Sequence, residues 1–504
     1  MAAKTIMVQG TASGVGKSLL VTGLCRIFSN RGYKVAPYKS QNMALNSFVT
    51  KDGGEIGRAQ AVQAQAACVE PTVDMNPILL KPKKDYKTQV IVHGKPVGDM
   101  TAQEYHKKFR DEAWGAMMTS LKRVMSEYDV IVIEGAGSPA EVNLRDFDIV
   151  NMAIAKAAEA PVLLVADIDK GGALASIVGT LNLIESEERE LIMGLVINKF
   201  RGDRELLEPA LDFLETDTGK PVLGVIPYVR DLGIQEEDSI PVLEMGDKTA
   251  EIDIAVIRLP HISNFTDFDY LTRENGVKIR YVSLESELKN ADAVIIPGSK
   301  STVEDLMWLR ANGFIEKIKE LNNSGVPVIG ICGGYQMLGE KLYDSEGLES
   351  KNKEIEGLGL LPTVTYFSKE KITKQVEAHF MRPLKLFPGT EGHKFDGYEI
   401  HSGRTKLLKG TPVLSLCSRA QKEDIGDGAV SSSELAFGTY IHDLFINKDI
   451  RRAFINNLRV RKKLPPLKSK AIDSVDFREK SFERWAQILS ESLEIKKIFE
   501  LAGI

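Results

Sequence analysis

An apolar run at Thr5–Gln9, a glycine-rich loop from Gly10 to Ser18 (Gly-Thr-Ala-Ser-Gly-Val-Gly-Lys-Ser) and an apolar-periodic helical stretch from Leu19 to Phe28 narrow the folds open to this chain. Strand, loop and helix in that order form a βα unit, and the strand of such a unit belongs in a parallel sheet covered by helices. The loop composition suits phosphate. Gly10, Thr11, Gly14 and Gly16 let backbone N–H groups turn toward an anion at a helix N-terminus, Lys17 can reach outer phosphates, and the Ser18 hydroxyl can hold Mg2+. Five residues separate Gly10 from Gly16, one more than in the common pattern, so the loop is a variant.

The rhythm continues along the chain. Val35–Lys39, Asp129–Glu134, Pro161–Ala166, Leu191–Asn198 and Pro221–Pro227 are apolar β-type runs separated by helical stretches, which predicts a mainly parallel, doubly wound sheet. Glu134 closes its run beside Gly135-Ala136-Gly137, where a carboxylate can face the phosphate loop and take Mg2+. Asn198 ends its own run as either a purine-base contact or a turn former. Lys39, Gln41 and Asn42 follow another strand end, where ligands bind in open α/β sheets. Asp52 and Glu55 read equally as helix caps or Mg2+ ligands.

The stretch around Glu236, Glu237, Asp238 and Pro241 breaks the rhythm and reads as a linker, 231–250. A second α/β unit follows, with strands at Ile252–Leu259, Val277–Val282 and Ala293–Pro297. Its centre is Val326-Pro-Val-Ile-Gly-Ile-Cys332-Gly-Gly-Tyr-Gln-Met-Leu338. A buried strand ends at Cys332 and a helix starts just after two glycines, which is the geometry of a nucleophile elbow. A helix N-terminus behind a cysteine favours thiolate. His442, in Gly438-Thr-Tyr-Ile-His-Asp-Leu-Phe445, is the expected base, with His379 and His401 as competitors. The turn Gly298-Ser-Lys-Ser-Thr302 is either an oxyanion hole or a bare βα turn. Beyond the elbow the sequence predicts short β-type runs, and from 447 a charged helical extension in which Lys462, Lys463, Lys468 and Lys470 are solvated.

The 504 residues allow several domains, and 65 Lys plus Arg against 70 Asp plus Glu leave a net charge of -5, so neither a nucleic-acid nor a membrane partner is expected. The opening residues run into a strand and do not read as a signal or transit peptide, which predicts a cytoplasmic chain. Four cysteines without paired spacing predict no disulfide scaffold.

The motifs also carry a resemblance. Gly10–Ser18, Glu134-Gly-Ala-Gly and Asn198-Lys-Phe are similar to the dethiobiotin-synthetase-like ATPases, and Gly330-Ile-Cys332-Gly-Gly-Tyr-Gln with His442 is similar to triad-type (class I) glutamine amidotransferases. Together with Tyr38-Lys-Ser-Gln-Asn-Met-Ala-Leu-Asn-Ser47 and Gly397-Tyr-Glu-Ile-His401, the chain resembles the cobyric acid synthase family. The resemblance implies two doubly wound α/β domains: an ATP-binding amidoligase domain, 1–230, and an amidotransferase domain, 251–446, before the helical extension, 447–504. It implies ATP and Mg2+ as cofactors, and glutamine and a corrinoid as small-molecule substrates; self-association stays open. Cys332 and His442 would be catalytic, and Gly10, Thr11, Gly14, Gly16, Lys17, Ser18 and Asn198 would bind nucleotide. Ser18 and Glu134 would hold the metal. Such amidotransferases commonly carry Glu two residues after the histidine; that position is Leu444 here, so the expectation is a Cys/His pair with modest glutaminase turnover. A sister amidase of the corrinoid a and c carboxylates and a nucleotide-switched binding protein are the competing readings.

Overall fold

The computed structural model describes residues 3–83, 87–235, 244–246, 249–418 and 424–504. The expected linker residues Glu236, Glu237, Asp238 and Pro241 lie outside them. The chain divides into two compact units, one formed by Met1–Ala44, Glu55–Asp238 and Phe477–Ile504, the other by Leu45–Gly54 and Ser239–Asp476. Residues 447–504, read from sequence as one extension, are thus shared between the two.

In the first unit six strands form a sheet in the order Val222–Pro227, Ile192–Phe200, Val162–Asp167, Lys4–Gly10, Val130–Glu134, Val35–Tyr38, every pair parallel. The strands Val130–Glu134 and Val162–Asp167 are buried at every residue, as continuous apolar runs with both faces covered require. Helix Lys17–Asn30 starts at Gly16, whose φ of 100° lies in the left-handed region that glycine enters without strain. The C-terminal helices pack on this core: Val21, Leu24 and Phe28 cluster with Trp485, Leu489, Ile498 and Phe499, and Trp485 Nε1 donates to the Leu19 carbonyl at 2.7 Å. A second, four-stranded sheet, Gln41–Met43, Ile78–Pro82, Lys87–Val92 and Lys95–Thr101, was not legible in the sequence.

The second unit carries a seven-stranded sheet in the order Glu244–Gly246, Val277–Val282, Ile252–Ile257, Ala293–Ile296, Val328–Ile331, Ala436–Thr439, Ala429–Val430. The five central strands are parallel and both edge pairings antiparallel. Two of the runs expected to be short beyond the elbow, Gln375–Phe380 and Gly397–Gly403, are parts of two long strands, Thr363–Phe380 and Lys394–Leu407, paired antiparallel, whereas the run at Phe437 is the short strand Ala436–Thr439. Segment Leu45–Gly54 belongs to this unit. Val49 packs on Tyr398 and Ile400, Gln375 Nε2 donates to the Val49 carbonyl at 2.9 Å, and Ser47 N donates to Asn264 Oδ1 at 3.0 Å. The basic cluster Lys462, Lys463, Lys468 and Lys470 is exposed, as expected. Among the described residues no helix is long and apolar enough to cross a membrane.

Candidate active sites

In the first unit the loop after strand Lys4–Gly10 closes on itself. Thr11 N donates to the Val165 carbonyl at 2.9 Å, tying the loop to the neighbouring strand. Gly14 and Gly16 both take positive φ, 72° and 100°. The Lys17 ammonium curls into the loop and donates to the Ala12 and Gly137 carbonyls, each at 3.0 Å, so a cation is held where phosphate oxygens would arrive. Asn198 buttresses the loop: its Nδ2 donates to the Val15 carbonyl at 2.8 Å and its Oδ1 accepts from Lys199 N at 2.8 Å. A Cβ at Gly16 would come within 2.1 Å of that Nδ2, which is a second reason for glycine there.

Glu134 gathers the polar groups of this centre. Oε1 accepts from Ser18 Oγ and from Lys39 Nζ, both at 2.8 Å, and Oε2 accepts from Gln63 Nε2 at 2.6 Å. Burial works to raise the carboxyl, but the Lys39 ammonium and these donors outweigh it and hold Glu134 below the usual carboxylate range. An ionised carboxylate beside a hydroxyl is a hard oxygen donor pair, and it fits a divalent cation such as Mg2+. Glu55 is elsewhere, in a buried pair with Lys81 at 2.7 Å, and Asp52 is exposed. The sequence pointed to Lys39; it gave no role to Gln63.

In the second unit Cys332 ends strand Val328–Ile331 with φ 52° and ψ -105°, a conformation costly for a residue with a Cβ. The turn is tight because its glycines permit it: a Cβ at Gly334 would lie 1.9 Å from the Ile296 carbonyl oxygen. The Cys332 N–H donates to the Thr439 carbonyl at 2.9 Å, which ties the elbow to the strand that leads to His442. His442 follows that strand, buried, with its ring stacked on Tyr398 at 5.0 Å between centroids. Its Nδ1 is 2.7 Å from Asp267 Oδ2, and Asp443 N donates to Asp267 Oδ1 at 3.0 Å. Burial alone would lower the imidazole, but the Asp267 carboxylate, and after it the nearby Cys332 sulfur, push it up to about 10. The Cys332 thiol itself donates to the Ile400 carbonyl at 3.6 Å; cysteine, histidine and carboxylate thus stand in one buried cluster, the residue types that a nucleophile, its base and an orienting acid require.

A carboxylate stands beside the expected Cys/His pair. Leu444 is a buried core residue, and the acid comes from Asp267, far upstream in the 3-10 segment Phe265–Arg273. Asn264 stands beside it, its Nδ2 at 3.4 and 3.5 Å from the two ring nitrogens of His442. His401 is satisfied elsewhere: Nδ1 bonds the Gly403 carbonyl at 2.7 Å, Nε2 faces Glu399 at 3.2 Å, and the ring stacks on Tyr440. His379 lies within strand Thr363–Phe380. In the turn Gly298–Thr302, the N–H of Lys300 donates to His261 O, that of Ser301 to Ser299 Oγ and that of Thr302 to Glu349. The Ser299 backbone nitrogen lies close to the elbow, 2.9 Å from where a Cβ on Gly333 would sit.

Known protein families match both parts of the chain. Residues 6–242 match the CobQ/CobB/MinD/ParA nucleotide binding domain, and residues 253–450 match the CobB/CobQ-like glutamine amidotransferase domain. The cobyric acid synthase of Moorella thermoacetica is 54% identical over 92% of this chain and 90% of its own length. That of Pelotomaculum thermopropionicum is 52% identical over 100% and 97% of the two chains, and that of Dehalococcoides mccartyi strain CBDB1 is 49% identical over 99% of each. With identities near one half along the whole length, the chain belongs to the cobyric acid synthase family.

Proposed function

We propose that this protein converts the b, d, e and g side-chain carboxylates of a cobyrinic acid a,c-diamide corrinoid into carboxamides, giving cobyric acid at the expense of ATP and glutamine. The observation that carries the reading is one chain holding a phosphate loop and a Cys332–His442–Asp267 cluster, in a family of full-length cobyric acid synthases.

Glutamine hydrolysis is work for the second unit. The Cys332 thiolate, the nucleophilic form of the residue, adds to the side-chain amide carbon of glutamine. The His442 imidazolium gives its proton to the leaving nitrogen, ammonia departs, and a γ-glutamyl thioester remains on Cys332. His442, now neutral, takes a proton from the water that hydrolyses the thioester, and Asp267 holds the ring in the tautomer that both transfers need.

Activation of the acceptor falls to the first unit. A corrinoid carboxylate is a poor electrophile until its oxygen takes the γ-phosphoryl group of ATP. The loop Gly10–Ser18 would bind the phosphates, with Lys17 meeting the charge that develops on the transferred group and Asn198 keeping the loop in shape. Ser18 and Glu134 would hold Mg2+, which when bound neutralises phosphate charge. Ammonia then adds to the acyl phosphate and phosphate leaves, forming the amide.

Incubating the protein with ATP, Mg2+, glutamine and adenosylcobyrinic acid a,c-diamide, and following the corrinoid by mass spectrometry, tests this. Four successive carboxyl-to-carboxamide conversions that stop without ATP are expected. Glutaminase activity with an unchanged corrinoid would overturn the acceptor assignment. Preferential consumption of undecorated cobyrinic acid would point to the a and c carboxylates instead.

A further inference from the structure

Gln63 lies on the helix Arg58–Ala66 and is fully buried. Its two amide atoms have different surroundings. Nε2 donates to Glu134 Oε2 at 2.6 Å and lies 3.4 Å from the Ser18 carbonyl oxygen. Oε1 is buried and has no hydrogen-bond partner. The orientation is dictated by chemistry: against a carboxylate only the NH2 end can donate, and the flipped amide would set two acceptors in contact. Gln63 therefore sits beside Ser18 and Glu134 with its donor end used and its buried acceptor end unpartnered.

A buried acceptor without a partner is rare in folded proteins and calls for one that arrives with a ligand. A phosphate oxygen cannot be that partner, because it is itself an acceptor and carries negative charge. An apolar group would leave the oxygen unsatisfied. A cation does satisfy it, as an N–H or O–H donor would; what favours the cation is the neighbouring ionised carboxylate and hydroxyl, oxygens of the same hard type, beside the Lys39 ammonium that shares the carboxylate.

We propose that Gln63 supplies Oε1 as a third protein oxygen to the divalent cation at Ser18 and Glu134, while its Nε2 fixes the carboxylate. The inference rests on the reading that those two residues hold the cation. Gln63 thus acts from both ends of one amide: the donor end orients an anionic ligand, and the acceptor end is the ligand beside it. No charge is added to the site, so the cation is held without the repulsion that a second buried carboxylate would bring.

The test is Mn2+ binding to the full-length protein saturated with β,γ-methylene-ATP, read from loss of the free-ion electron paramagnetic resonance signal, so that no turnover is needed. Gln63→Met removes both polar ends at nearly constant volume and is expected to weaken Mn2+ about 10- to 100-fold. Gln63→Glu loses the donor and sets a second carboxylate against Glu134, but it keeps an oxygen for the cation, whose charge offsets the repulsion, and is expected to weaken Mn2+ clearly less than Gln63→Met. Equal weakening in both variants would mean that Gln63 acts only by orienting Glu134, and would overturn the proposal; unchanged binding in Gln63→Met would overturn it as well. Glu134→Gln separates the two layers of the argument. If it leaves Mn2+ binding intact, the cation site itself is misplaced; if it weakens binding while Gln63→Met does not, only the Gln63 assignment falls. Thermal melts without metal check that the variants fold. Electron–nuclear double resonance on wild-type protein carrying glutamine labelled with 13C at the side-chain carbonyl needs no variant: a carbon coupled to Mn2+ is expected, and its absence refutes the assignment.

Discussion

His442 Nδ1 and Asp267 Oδ2 are 2.7 Å apart, although 175 positions separate the two residues in the chain. The contact completes a nucleophile, base and acid cluster without the glutamate that usually follows the histidine by two residues. Because the same carboxylate also accepts from Asp443 N through its other oxygen, it is fixed at both ends. Asp267 is thus a rigid orienting group for the imidazole.

Replacing Asp267 with Asn should therefore cost glutaminase activity heavily. The amide would favour the wrong ring tautomer, and in a comparable triad such a change lowers turnover by about four orders of magnitude. We expect a loss of roughly 100-fold or more in kcat for glutamine hydrolysis, while amidation fed by ammonium salts stays near the wild-type rate. A drop of less than about threefold would show that the Cys332 and His442 pair works alone.

The same pair predicts a dependence of stability on pH. In the unfolded chain an imidazole titrates near its ordinary value of about 6.5, whereas His442 in the fold is pushed up to about 10. The folded form binds the proton more tightly, so the stability this provides is full below about pH 6.5 and is lost as pH rises toward 10. Thermal melts at intervals between pH 6 and 10 should show a falling midpoint, and Asp267→Asn should flatten that fall. A wild-type midpoint that is level across this range would exclude a charged His442 at neutral pH.

In the first unit Lys39 and Glu134 form a buried pair at 2.8 Å, with side chains 9% and 1% exposed. Removing one member of such a pair strands the other charge. Lys39→Met is expected to destabilise the unit by about 3–5 kcal/mol. Adding Glu134→Gln should recover much of this, since the stranded charge disappears. Urea unfolding followed by tryptophan fluorescence suits the measurement, because Trp114 and Trp485 both lie in this unit and only Trp308 lies in the other. A double variant no more stable than Lys39→Met alone would contradict the account. The wild-type contribution of Glu134, held low, is present at neutral pH and disappears as pH falls through its folded value.

What was legible in the sequence was local. The loop Gly10–Ser18 and the elbow at Cys332 are written in consecutive residues, because the turn, the glycines and the helix start act within a few positions of one another. Asp267 was hidden because its role depends on a contact across the fold. Its one local signal was an acid within the apolar pattern Phe265, Phe268, Leu271, where it is buried at 2% exposure. In the long strand Thr363–Phe380, Lys369-Glu370-Lys371 interrupt the apolar pattern, at the point where the register with Lys394–Leu407 shifts between Phe367 and Ile372. Segment Leu45–Gly54 reads as part of the first unit by position, and only pairings such as Ser47 with Asn264 assign it to the second.

Cys332 shows how the elbow trades stability for reactivity. Its φ of 52° with ψ of -105° belongs to the sparsely populated backbone states that cost about 1–3 kcal/mol for a residue with a Cβ. Cys332→Ala keeps the Cβ and the strain, whereas Cys332→Gly removes both, against a loss of about 0.5–1 kcal/mol for the greater freedom of glycine in the unfolded chain. The relief is the larger effect, so Cys332→Gly should be the more stable of the two by roughly 1 kcal/mol. Neither variant can form the thioester, so both should lose glutamine-dependent amidation and keep the ammonia-dependent reaction. Denaturation curves of the two proteins decide the matter: a glycine variant less stable than the alanine variant would mean that the elbow carries no strain, and that its shape is enforced by the backbone contacts of Gly334 and Cys332 alone.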